Sequence, residues 1–372
     1  MKTDRLVSLD AFRGFTVAAM VLVNNPGDWK HLHAPLAHAK WDGWTFTDTI
    51  FPAFLFICGV SMMLSLERRT LAGDDQRSQV MALVRRGAII FAIGLVLNFI
   101  PAFDLATVRI PGVLQRIGFC VALAAPIVVV CGWRGQAAAT LKLFALYAVV
   151  MLLLPVPDVS GRVAAGALEP GRDAGAWLDR LLLQGHLWSA SKTWDPEGLL
   201  STLPSLASLL IGALAGRWLL QRREAAGKTV WMMLAGLAFL GAGTVLDAVL
   251  MPINKSLWSI SYSVFMTGWA LLAFSAFYWL IDGNESALLR QRASALALPF
   301  TIYGLNALFI FAFSGLIARL LSLADLKRSI YAPFQALPLS AENTSLAFAV
   351  TFNLVMLLVA WAMWRKGWFI KI

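Results

Sequence analysis

The sequence predicts an all-α fold: a polytopic integral membrane bundle of about ten transmembrane helices, forming one domain over residues 1–372. Three observations predict it. The chain is 59% hydrophobic and only 14% charged, with a mean hydropathy of +0.71, whereas soluble domains carry about 25% charged residues. Apolar stretches near the ~20 residues needed to cross a bilayer recur from end to end. The basic residues are distributed unevenly between alternate connections, as they are in multi-pass proteins.

The expected spans are 10–28, 46–66, 82–102, 110–132, 138–155, 199–220, 229–250, 258–281, 296–318 and 345–364. Barrel strands would instead show short alternating segments. The start, MKTDRLVSLDAFRG, is charged and no small-residue cleavage site follows, so the first span is expected to be an uncleaved anchor. With a cytoplasmic N-terminus and ten crossings, 19 of the 31 Lys and Arg residues fall inside, among them Lys2, Arg5, Arg13 and Lys371. The positive-inside rule then places both termini in the cytoplasm. The formal charge of +10 follows from topology, and no nucleic-acid partner is expected. The lipid bilayer is the obligatory one.

Most connections are short. Residues 156–198 form a long outer loop rich in Gly, Trp and mixed charge, and such loops usually serve as lids or binding loops. A second outer segment covers 319–344. In the first span, Arg13 and Asn24 are eleven positions apart, about 16 Å of helix. The hydrocarbon core is about 30 Å thick, so at least one of the two lies inside it. Polar groups there face a partner or a wet cavity; the simpler alternative is a snorkelling Arg13 and a helix-capping Asn24.

The chain has four histidines, and His31, His33 and His38 precede the second span. Asp48 falls in the first turn of that span, where the helix dipole favours a carboxylate. It serves either as a first-turn acid behind Thr45 or as the partner that orients an imidazole. Asn24, His38 and Asp48 therefore converge on one outer mouth. Arg116 and Gln115 are read as lying well inside the fourth span, a candidate anion site. Trp194, Asp195 and Glu197 in TWDPEG suit a sugar or amine, or equally an interfacial Trp and a helix cap. Asn254 and Lys255 mark the outer turn of MPINKSLW, and Asn306 interrupts IYGLNALFIF. The His pair in HLH lacks further ligands, and Cys58, Cys120 and Cys131 fit no metal spacing, so no metal is expected. No P-loop, GxGxxG or GxSxG motif occurs, which argues against ATP-driven transport and serine hydrolysis.

Together, the segments RLVSLDAFRGFTVAAMVLVNN, HAKWDGWTFTDTIFPAFLFICG, GVLQRIG, DPEGLLSTLPSL, PINKSLWSISY and the terminal FIKI resemble the heparan-α-glucosaminide N-acetyltransferase family, from Arg5 to Ile372. The resemblance implies acetyl transfer from cytosolic acetyl-CoA to an amine across the membrane, here at the periplasmic side of a bacterial inner membrane, and it suggests a homodimer. Its His-Ala-x-Trp-x-Gly motif selects His38 as the active histidine, and its helix-1 asparagine corresponds to Asn24. Lysosomal members are expected to carry a lumenal domain and an extra helix before the core that this sequence does not show, so heparan sulfate itself is not the expected acceptor, and an amino sugar is. Basic residues at the inner mouth, with Arg13, Arg116 and Gln115 at membrane depth, would hold the polyanionic CoA. Imidazole, titrating near about 6.5, suits removal of a proton from an amine. Asn24 could donate to the oxyanion. Direct transfer and an acetyl-histidine intermediate both stay open. The competing functions are a transporter of a glycan or lipid precursor, which would favour broken helices, and an O-acyltransferase acting on a periplasmic glycan.

Overall fold

In the computed structural model, residues 6–100 and 102–370 are described. Lys2, Arg5 and Lys371 from the charge count, and the end of FIKI, lie outside them. Among the described residues, nine helices are long and apolar enough to cross a membrane. They are α1 (Val7–Asn24), α2 (Phe46–Leu71), α3 (Gln76–Phe99), α4 (Val113–Val130), α5 (Trp133–Leu153), α7 (Thr202–Leu220), α8 (Ala225–Val249), α9 (Ile260–Tyr278, with a π turn continuing to Gly283) and α14 (Ala341–Arg365). A further candidate is the pair α11 (Leu298–Leu305) and α12 (Ala307–Leu323), bent by 83°, which makes either one broken span or a re-entrant loop. Shorter helices are α6 (Ala174–Leu183), α10 (Ala287–Leu296) and α13 (Leu326–Gln335).

The all-α membrane fold expected from the sequence is thus the one observed. Two segments differ from the sequence reading. The span placed at 296–318 is broken at Asn306, where Oδ1 accepts from the Ile370 N–H at 2.8 Å and Nδ2 donates to the Trp368 carbonyl at 3.0 Å. Asparagine competes for backbone partners, and here it takes those of the C-terminal segment. The segment 319–344 is not a plain loop: it begins within α12 and carries α13. The long loop holds a two-residue hairpin, β1 (Val156–Pro157) with β2 (Val163–Ala164), followed by α6.

The core is built on α2 and α7, whose faces are mostly covered by protein, whereas α3, α5 and α8 turn broad apolar faces outward, as lipid-facing helices do. Association in lipid relies on close packing at small residues. A Cβ on Gly59 would meet the Leu209 carbonyl at 2.0 Å, and one on Gly212 would meet the Phe56 carbonyl at 2.1 Å. The backbones of α2 and α7 therefore touch at this pair, which fixes the height of α2's first turn. Near the termini, Arg13 bonds Asp10, the Ser61 hydroxyl (2.7 Å) and the Gly304 carbonyl (3.4 Å). It ties α1 to α2 and α11. Over-packing costs about 1–3 kcal/mol or more, so Gly212→Leu is expected to lower the thermal unfolding midpoint, while Gly132→Ala, which has open space around it, is expected to leave it within error.

Candidate active site

The second span starts at a threonine that ends the His-bearing loop. The Thr45 N–H donates to Asp48 Oδ2 at 3.0 Å, and the Thr45 hydroxyl donates back into the loop, to the Ala37 carbonyl at 2.6 Å. The Ala39 N–H donates to the same Oδ2 at 3.0 Å. The other carboxylate oxygen, Oδ1, faces His38 Nδ1 at 2.6 Å. The Asp48 side chain is fully buried, while that of His38 is 45% exposed. A carboxylate only accepts, so Nδ1 carries the hydrogen and Nε2 is left with its lone pair directed away from Asp48. Both sequence readings of Asp48 therefore hold at once: it caps α2 and orients an imidazole. The backbone is braced too. Pro52 has no N–H to offer the Asp48 carbonyl, and the Tyr262 hydroxyl supplies the missing donor at 2.6 Å.

The turn between α8 and α9 brings a cation to this imidazole. Asn254 is fully buried. Its Oδ1 accepts from the Leu257 N–H at 2.9 Å, its Nδ2 donates to Asp42 at 3.1 Å, and its N–H donates to the Ser259 hydroxyl at 3.1 Å. This staple presents the adjacent Lys255, whose Nζ lies 3.1 Å from His38 Nε2 and 3.2 Å from Nδ1. Burial lowers the Lys255 pKa, and the Arg116 and Arg109 charges add to that against Glu197 and Asp48. Asn254 is thus a positioning residue, and the Lys255 amine lies against the His38 imidazole.

Arg109 closes the flank. Its guanidinium is bidentate to Asp195, at 2.8 and 2.5 Å, and also reaches Glu197 at 2.6 Å. Burial pulls the Arg109 pKa down, but the two carboxylates outweigh it and push it above its ordinary value. Burial pushes Glu197 up, and the Arg109, Lys255 and Arg116 charges outweigh it and hold the carboxyl below its usual range. Asp195 also accepts from the Trp188 and Glu197 N–H groups, both at 2.9 Å. Its oxygens are occupied in a clamp that fastens the long loop to the start of α4. Trp194 packs edge-on against Trp41 and Trp188. The cavity beside it, bounded by Asp173, Asp179 and Asp195, is only about 20 Å³, too small for a sugar.

The other expected site residues lie elsewhere. Arg116 is not deep within its span: Pro111 and Gly112 delay the start of α4, so it lies in the first turn, at the His38 end of the bundle. It is buried, donates to the Gly198 carbonyl at 2.9 Å and to the Ser201 hydroxyl, and lies 5.2 Å from the centre of the Trp258 ring. Its Nε and Nη1, and Nε2 of neighbouring Gln115, have no hydrogen-bond partner among the described residues. Arg13 is at the opposite end, so the two arginines do not meet. The Asn24 side chain makes no hydrogen bond among the described residues. It lines a cavity of about 520 Å³ with Trp29, Arg319, Lys327 and Phe348, a wall that does not include His38. His31 bonds Asp28 at 2.8 Å, and His33 bonds Asn343 at 3.0 Å, both on the exposed loop. Sequence reading gave no role to Arg109, Asp42, Trp41 and Tyr262; Trp41 stands in the His-Ala-x-Trp-x-Gly motif, and Arg109 is a cation beside a helix start.

Residues 5–247 match the family described as heparan-alpha-glucosaminide N-acetyltransferase, catalytic. The chain belongs to this N-acetyltransferase family. It is similar to the human heparan-alpha-glucosaminide N-acetyltransferase, 28% identical over 422 residues covering 99% of this chain, and to the mouse protein, 28% identical over 358 residues covering 83% of it. The chain spans 60% of the human relative's length and 53% of the mouse one's. His38, Asp48, Arg109 and Arg116 all fall within the stretch matched to the N-acetyltransferase family; Lys255 lies just beyond it, in the part that aligns with the human relative.

Two predictions test this scaffold. Arg109→Ala leaves Asp195 and Glu197 without their cation, and breaking such a pair costs about 3–5 kcal/mol; a clear fall in the unfolding midpoint is expected, with Arg109→Lys falling less. The second concerns Asp179, buried in the long 156–198 loop, where it accepts from the Leu199 N–H at 2.8 Å. Burial, with the Asp195 and Asp173 charges, pushes its pKa up to about 7. A raised folded-state value means that the stabilisation is full below the ordinary carboxylate value near 4 and is lost as pH rises through about 7. Wild-type melting points should therefore fall across that window, and Asp179→Asn should flatten the fall.

Proposed function

We propose that the chain is a transmembrane N-acetyltransferase that moves an acetyl group from acetyl-CoA to an amine at the His38 face. The observation that carries this is the His38–Asp48 pair: one ring nitrogen is bonded to a buried carboxylate, and the other is directed away from it on a half-exposed ring. An amine is protonated near neutral pH and must lose a proton to attack a thioester. Nε2 takes that proton, while buried Asp48 holds the tautomer and stabilises the imidazolium, as the acid does in hydrolase triads. The amine nitrogen then bonds the acetyl carbon, the C–S bond breaks, and CoA leaves.

The family membership supports acetyl transfer, and the sequence charge asymmetry supports a cytoplasmic face that carries both termini. On this reading acetyl-CoA arrives from that face, His38 opens to the periplasm of a bacterial inner membrane, and the acceptor is an amino sugar or another amine-bearing glycan. We place direct transfer ahead of an acetyl-histidine intermediate, because the half-exposed ring already receives an amine at Nε2, that of Lys255, at 3.1 Å. An O-acyltransferase would share every step except the acceptor atom. We also propose a homodimer, which the mass of the detergent-solubilised protein checks.

The break at Asn306 is the one feature that favours a transporter, since broken helices line substrate paths in those folds. Both ends of the Asn306 carboxamide are already bonded to the C-terminal segment, so the break is filled. The enzyme reading therefore leads.

The test offers purified protein labelled acetyl-CoA and a panel of amino sugars. Acetylated product is expected with at least one of them. His38→Ala should lower kcat/KM by about 100-fold or more, in line with general-base contributions, and Asp48→Asn by at least about tenfold. His31→Ala and His33→Ala should stay within about threefold of wild type. Equal losses at all three histidines, or full activity in His38→Ala, would refute the assignment.

A further inference from the structure

An acceptor amine has to reach His38 Nε2, and one amine of the protein is already there. Lys255 Nζ is 3.1 Å from Nε2. Nδ1, at 3.2 Å, has its hydrogen committed to Asp48, so Nε2 is the sole ring atom that can take a proton from Nζ. The near-equal distances place Nζ against the imidazole rather than on the Nε2 lone-pair axis. A rotation about the end of the flexible lysine stem moves it there. The contact is solvent-accessible, so a thioester that can reach an added amine can reach this one. The charged groups around Nζ are Asp48 and Glu197 on one side and Arg109 and Arg116 on the other. Burial and the two arginines favour the neutral, nucleophilic form.

We propose that Lys255 is a self-acetylation site: when no acceptor amine is bound at His38, its amine takes the acetyl group from acetyl-CoA, and the resulting amide blocks Nε2. The inference rests on the acetyl-transfer reading above and adds to it a regulatory modification. The chemistry balances within the same machinery. Nζ forms a bond to the acetyl carbon and the C–S bond of the thioester breaks. The proton lost by Nζ passes to His38 Nε2 and from there to the departing CoA thiolate. The product is an amide, which does not hand its acetyl group on. It removes the Lys255 charge and leaves an acetyl group against the imidazole. The enzyme therefore falls silent when acceptor runs out.

The experiment incubates the full chain in lipid nanodiscs with radiolabelled acetyl-CoA and no acceptor, then maps the label by peptide mass spectrometry. The expected result is a hydroxylamine-stable label on Lys255, approaching one per chain, with matching time-dependent loss of transfer activity. Labelling at Lys255 should drop at least about tenfold in His38→Ala and when an acceptor amine is added. Lys40, exposed on the same loop, reports uncatalysed acetylation and should be unaffected by either change. Lys255→Arg, checked for a wild-type melting point, should lose the label and be spared the time-dependent inactivation. Since the wild-type map reads Lys255 directly, a variant that fails to fold does not decide the matter. A hydroxylamine-labile label on His38 alone, or Lys255 labelling that matches Lys40 and persists in His38→Ala, overturns the proposal. Acetylation of an added amine with Lys255 unlabelled overturns the proposal and leaves the acetyl-transfer reading standing. No acetylation of any amine overturns both.

Discussion

A carboxylate with no exposed surface, at the start of a membrane helix, is tolerable only if its oxygens are satisfied. Burying an unpaired charge costs several kcal/mol. Asp48 meets that demand with two backbone N–H groups, from Ala39 and Thr45, and the His38 ring. The loop between α1 and α2 is therefore wrapped around one side chain. The same bonds that make the carboxylate affordable fix the imidazole's tautomer and aim. Removing Asp48 would release the loop, the helix cap and the histidine together.

The groups around this pair are each held by a separate device, and the devices meet at the same end of the bundle. Asn254 staples the turn that carries Lys255. Arg109 pins Asp195 and Glu197, and with them the end of the long loop. Arg116 rests on Trp258 and anchors Gly198 and Ser201. Three cations thus face three carboxylates in a cluster of nearly balanced charge. In such a cluster burial pushes Lys255 towards neutrality, while the Arg109, Lys255 and Arg116 charges keep Glu197 ionised against its own burial.

The sequence made the bundle legible because a membrane crossing needs little more than an apolar run of sufficient length, and those runs are long and separate. It did not reveal the break in the span placed at 296–318. Apolar composition runs straight through Asn306, and only the returning C-terminal segment explains the bend. The His38–Asp48 pair was legible because both residues lie near one helix start, ten positions apart. The Arg109 clamp was not, since its partners are 86 and 88 positions away and nothing local marks them. Arg116 was misplaced because hydropathy runs smoothly across Pro111 and Gly112, whereas the helix cannot start before them. Asn24 was expected beside His38. It is at the same end of the bundle but turned to another cavity, a difference of side-chain direction that spacing along a loop does not encode.

The arrangement also bears on how two substrates from opposite faces could meet. The first helix has 18 residues and α12 has 17, about 27 and 26 Å at 1.5 Å per residue, both shorter than the ~30 Å hydrocarbon core. Their neighbour α11, turned by 83°, adds little to the crossing. Arg13 is engaged by α1, α2 and α11, so its guanidinium is held against the bundle at the end opposite His38. The first helix thus joins the Arg13 contacts at one end of the bundle to the loop that Asp48 holds in place at the other.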